Sequence, residues 1–141
     1  MPERINHLAV FVAAIVFFLW GGLWYDVLFG KAWTSALGPA ASQIPAPSPY
    51  LFLASFVLGW CLAMGTAIAL TRRPEDQTVQ QGVSFAIFMG LTIWVTMSAQ
   101  QNLYEGRSVI LTLINAGYVL GGFALIGAIV GGWKKRGVPA P

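Results

Sequence analysis

Residues 109–133 read VILTLINAGYVLGGFALIGAIVGGW, a run without a single Asp, Glu, Lys or Arg. At about 1.5 Å per residue, a helix of that length exceeds the roughly 30 Å hydrocarbon core of a bilayer. Lipid offers no partner to a bare backbone amide, so an apolar segment of this length is stable there as a helix, which bonds its own N–H and C=O groups. Three more charge-free stretches precede it, at Asn6–Trp24, Tyr50–Leu70 and Gln80–Ala99. The pattern predicts an all-α integral membrane protein: a bundle of four transmembrane helices over approximately 6–24, 50–70, 80–99 and 109–133, forming one membrane domain across residues 1–141.

Composition points the same way. Apolar residues make up 57% of the 141 and charged residues 9%, with a mean hydropathy of +0.69, outside the range of soluble domains. The net charge of +3 does not indicate nucleic acid, because no basic patch is interleaved with aromatic residues. The basic residues lie at helix ends instead. Arg4, Arg72, Arg73, Lys134, Lys135 and Arg136 fall on one side of the four spans, and Lys31 and Arg107 on the other. Six against two places both termini in the cytoplasm under the positive-inside rule, and hence the protein in the plasma (bacterial inner) membrane. Trp24, Trp33, Tyr50, Tyr104 and Trp133 fall near the expected membrane–water boundaries. The first stretch is read as a retained helix, since it is longer than a typical signal-peptide core and carries Glu3 beside Arg4.

The connections differ in kind. Tyr25–Leu37 mixes apolar residues with Asp26 and Lys31, and is expected to form a short helix along the outer surface. The Pro-rich loop 38–49 carries four prolines, which favours an extended, partly polyproline chain. Arg72–Asp76 reads as a tight turn, with Pro74, Glu75 and Asp76 suited to the start of the following helix. Gln100–Ser108 is the most polar outer segment.

Leu23-Trp24-Tyr25-Asp26-Val27-Leu28-Phe29-Gly30-Lys31-Ala32-Trp33 resembles the first-helix signature of a bacterial membrane family, domain of unknown function family 1761. Asn102-Leu103-Tyr104-Glu105-Gly106-Arg107 and Leu111-Thr112-Leu113-Ile114-Asn115-Ala116-Gly117-Tyr118 are similar to its second signature, and Gly127–Trp133 to its close. The resemblance implies the four-helix architecture and carries no activity.

Candidate functional residues are few. Asp26, Lys31, Asn102, Tyr104, Glu105, Arg107 and Asn115 all fall toward one side of the membrane, where they would form an outer polar cluster. Carboxylates and bases there either pin helix ends together or bind an anion, a lipid headgroup or a partner loop. Tyr25-Asp26 with Gly30-Lys31 echoes Tyr104-Glu105 with Gly106-Arg107, a hint of a duplicated hairpin. Asn115 is expected to bond between helices. No Asp, Glu, Lys or Arg occupies the middle of a span, which disfavours a proton or ion pathway. One histidine, His7, and one cysteine, Cys61, make no metal or haem set and no nucleophile–base pair, so no cofactor, metal site or catalytic residue is assigned. Cys61 reads as a small core residue.

Small residues form a clearer pattern. Gly117, Gly121, Ala124, Ala128 and Gly131 recur at spacings of 4, 3, 4 and 3, one stripe of the last helix, with Gly127–Gly131 beside it. Gly82, Ala86 and Gly90 repeat the pattern on the third helix, and Ser55, Gly59 and Ala63 on the second. Such stripes let helix backbones approach within lipid. The working reading is a packing and interaction module that self-associates or serves a larger membrane assembly. A second reading is an oligomeric carrier or channel with a vestibule lined by Asp26, Glu105, Arg107 and Asn115. A third is a membrane-embedded enzyme acting on lipid.

Overall fold

Each long apolar run is preceded by a residue that caps a helix. In the computed structural model, which describes residues 4–72 and 77–135, all four side chains do so. Asn6 accepts from the amide of Ala9, Ser48 from Leu51, Thr78 from Gln81 and Ser108 from Ile110, each at 3.2 Å. All four have extended backbones, as an N-cap requires, and each satisfies an amide that the helix itself leaves unpaired.

Helix α1 (His7–Gly22) continues through a π-helical segment, Leu23–Leu28, and is followed by the short α2 (Gly30–Leu37). Helix α3 spans Pro49–Thr71. Helix α4 (Val79–Met89) runs through a second π segment, Gly90–Val95, into α5 (Thr96–Tyr104), and α6 spans Val109–Gly132. Among the described residues, four continuous helices of 22, 23, 26 and 24 residues are thus long and apolar enough to cross a membrane: His7–Leu28, Pro49–Thr71, Val79–Tyr104 and Val109–Gly132.

Two spans outlast their expected ends. The first continues from Trp24 to Leu28, and the third from Ala99 to Tyr104. Gln100, Gln101 and Leu103 are good helix formers, and the helix stops only before Gly106, whose φ of +64° breaks the ladder. The Pro-rich loop is extended only over 44–48. Gly38–Gln43 forms a 3₁₀ turn instead, because Pro39 fits its first turn and the Ser42 hydroxyl donates to the Pro39 carbonyl at 2.8 Å. Of the expected turn at Arg72–Asp76, residues 73–76 lie outside the described residues.

α6 is the central helix. It packs most extensively against α4 and then α1, while α1 packs in turn on α3. The α4–α6 crossing is made by glycine: a Cβ on Gly82 would fall on the Gly127 carbonyl, and one on Gly127 would lie 2.6 Å from the Gly82 carbonyl carbon. Gly131 lies against the Thr78 carbonyl in the same crossing. Beside it, Ile5, Val10, Ala13, Ala63, Ala67, Leu70, Ile126 and Val130 form the buried aliphatic core. The end of α6 is tied down by two amides. Gln77, itself buried, donates to the Val130 carbonyl at 3.1 Å, and Asn6 donates to the Trp133 carbonyl at 3.1 Å. Both carbonyls belong to a helix end that lacks intrahelical donors. Asn6 and Trp133 therefore share one end of the bundle, and Asp26 and Glu105 lie toward the other.

Cys61 is exposed. The buried side of α3 includes Gly59, Ala63, Thr66, Ala67 and Leu70, and Cys61 stands two residues, about 200° of rotation, from Gly59. It faces away from the core.

Candidate functional site

The half of the bundle remote from Asn6 is held by aromatic rings seated on glycine. Trp20 on α1 and Trp24 in the π segment that continues it, four residues apart, meet Gly121 and Gly117, one turn apart on α6. A Cβ on Gly121 would come within 2.6 Å of the Trp20 ring, and one on Gly117 within 2.8 Å of the Trp24 ring. Each indole N–H donates to an α6 carbonyl, Trp20 to Tyr118 at 2.9 Å and Trp24 to Ile114 at 3.1 Å. Trp24 is half-buried and packs against α6. Gly122 in the same way receives the ring of Phe17. No single residue in the sequence marks this seam. The signal is the pairing of Trp at i, i+4 on one helix with Gly at i, i+4 on another.

The π segment then sets the next layer. Phe29 donates its amide to the Trp24 carbonyl five residues back, at 2.8 Å. This wider turn keeps Tyr25 facing α6, where its hydroxyl donates to the Asn115 Oδ1 at 2.8 Å. Tyr25 also packs against Tyr118 and Trp33, with ring centroids 4.9 Å away in each case. Gly30 is required at the following bend, since a Cβ there would lie 2.7 Å from the Tyr25 carbonyl oxygen. The Tyr25–Asn115 bond joins two side chains of different helices, so Tyr25→Phe is expected to cost about 0.6–1.7 kcal/mol of stability. A double-mutant cycle with Asn115→Ala measures it, and a coupling near zero would show that the bond holds nothing.

The expected polar cluster resolves into separate pairs. Arg107 donates to Glu105 at 2.9 Å across the Gly106 turn, and Gln101 donates to the other Glu105 oxygen at 3.0 Å. The Arg107 and Gln101 hydrogen bonds hold the Glu105 carboxyl below the usual carboxylate range. Asn102 donates to the Thr112 hydroxyl at 2.8 Å, joining α5 to α6. Tyr104 is 88% exposed. Asp26 and Lys31 are exposed, and among the described residues neither forms an ion pair with Glu105 or Arg107. The two echoing segments also differ in backbone: Tyr25-Asp26 lies within a π helix, whereas Tyr104 closes an α-helix before a left-handed glycine.

Asp26 instead stands at a groove of about 740 Å³ between α1, α3 and α6. Phe17, Phe18, Phe52, Tyr25 and Tyr118 supply its aromatic walls, and Gly21 and Gly22 leave one side bare. A shallower concavity of about 710 Å³ lies along α5, against Ile93, Trp94, Met97, Gln101 and Glu105. Among the described residues no three His, Cys, Asp or Glu side chains approach closely enough to hold a metal ion.

The fold and these sites define an all-α protein with four candidate membrane-spanning helices, whose surface along those spans meets the lipid bilayer. Residues 8–131 match the family described as protein of unknown function DUF1761, and the chain belongs to that family. No curated protein and no solved structure matches the chain.

Proposed function

We propose that this protein is a non-catalytic interaction module of the bacterial inner membrane, with both termini in the cytoplasm, that pairs with a second copy of itself through α5. The observation that carries this reading is α5 itself. None of its nine residues is buried, yet it ends a candidate span and bears Ser98, Gln100, Gln101 and Asn102. The glycine pairs on α6 already meet α1 and α4 within the protomer and are not free for a partner. A side-chain amide carries both donors and an acceptor, so Gln100 is self-complementary across a two-fold axis. Polar contacts of this kind join helices in membranes. The concavity beside Met97 provides room for the facing helix. The carrier reading has less support: the buried polar side chains among the described residues are Thr66, Thr71 and Gln77, and none is ionisable.

Disulfide trapping in native membranes tests the pairing. With the exposed Cys61 replaced by serine, Met97→Cys is expected to give a covalent dimer on mild oxidation, and Leu58→Cys on the exposed face of α3 only monomer. Equal yields from the two positions would remove α5 as the contact.

A further inference from the structure

We propose that the groove between α1 and α3 binds a membrane lipid whose headgroup carries a primary ammonium. The ammonium would sit on the Asp26 carboxylate and an acyl chain along Phe17, Phe18 and Phe52. The groove owes its existence to two glycines. A Cβ on Gly22 would meet only the Asp26 carboxylate, at 3.8 Å, and one on Gly21 would make ordinary contact with the Tyr118 hydroxyl at 3.5 Å. Side chains at these positions would occupy the space that the glycines leave open.

Position selects a lipid. Phe17 lies nine residues before Asp26 on one continuous helix, so the groove extends about 13 Å along a candidate span. Leu19, which also lines it, is 62% exposed on the surface that meets the bilayer. A volume of about 740 Å³ falls within the range of sites that enclose a ligand with an apolar body. Charge selects the headgroup. Asp26 is the one acidic or basic side chain lining the groove, and no ion pair among the described residues engages it. The Tyr25 and Tyr118 rings beside it add the negative π faces that attract a cation. An anionic headgroup would be repelled by the Asp26 carboxylate.

The test uses the full-length protein in vesicles of equal parts phosphatidylethanolamine and phosphatidylglycerol with identical acyl chains, followed by gentle release and native mass spectrometry. The parent is expected to retain phosphatidylethanolamine over phosphatidylglycerol by about threefold to fivefold, the range of one partly solvated charge pair. Asp26→Asn is expected to bring that ratio to about one without lowering total lipid by the same factor. Gly22 lines the groove and a Cβ there meets only the Asp26 carboxylate, so Gly22→Phe is expected to reduce adducts of both lipids at an unchanged melting temperature. Equal retention in the parent, an unaltered ratio in Asp26→Asn, or full adduct in Gly22→Phe would each overturn the assignment. Adducts are counted per protomer, so the result does not depend on α5 pairing.

Discussion

Gly82→Ala is expected to destabilise the fold by about 3 kcal/mol, and Gly82→Leu to keep α4 from docking on α6 at all. A single methyl group has this effect because of what it strikes. A Cβ on Gly82 would overlap the Gly127 carbonyl oxygen, lie 2.9 Å from the carbonyl carbon and stand 3.1 Å from the Gly131 Cα. These are backbone atoms of a helix, and none can rotate aside. The helices would have to separate by the order of 1 Å along their most extensive contact, losing dispersion across the interface. In lipid no hydrophobic effect replaces that loss, since van der Waals packing is what holds the helices together. Gly65 is the control. A Cβ there meets nothing within 4 Å, so Gly65→Ala is expected to be neutral or to stabilise by up to about 1 kcal/mol. Thermal unfolding of the two variants in the same detergent decides the matter. If Gly82→Ala melts like Gly65→Ala, the crossing does not hold the fold.

The four spans were legible because a charge-free run of twenty or so residues has few other stable forms. Their ends were less so. Hydropathy marks where residues cease to be apolar, whereas a helix ends where its hydrogen-bond ladder fails, at Gly106 rather than at Gln100. The small-residue stripes identified helix surfaces that pack, yet their spacing could not name the partner. Gly127 and Gly131 meet the backbone of α4, while Gly117 and Gly121, on the same helix, receive indole rings from α1. Counting Lys and Arg by side grouped four charges, but topology fixes only the end of the bundle. The ion pair seen among the described residues, Glu105–Arg107, joins residues two apart in the chain. Asp26 became informative only once Gly21, Gly22 and Phe52 placed a groove beside it, and no pattern local to α1 or α3 contains that relation.

Trp20→Ala is expected to cost about 3–5 kcal/mol, the range for emptying a large aromatic site. Three separate contacts would be lost. The ring lies on Gly121, the indole N–H reaches the Tyr118 carbonyl at 2.9 Å, and the ring stands 5.1 Å from that of Trp24. Trp20→Phe keeps an aromatic ring and removes the donor. Because the Tyr118 carbonyl lies within α6 and retains its helical partner, this change is expected to cost no more than about 2 kcal/mol. The two values separate packing from hydrogen bonding. A further cycle isolates the seat itself. Gly121→Leu alone would drive its side chain into the Trp20 ring, but in Trp20→Ala the same leucine enters the vacated space. The double variant is expected to be more stable than the sum of the single changes predicts, by about 1 kcal/mol or more. Strict additivity would mean that Trp20 and Gly121 do not form a seat. The aromatic half of the bundle would then depend on the rings around Tyr25 and Tyr118, and the wall of the Asp26 groove would depend on them as well.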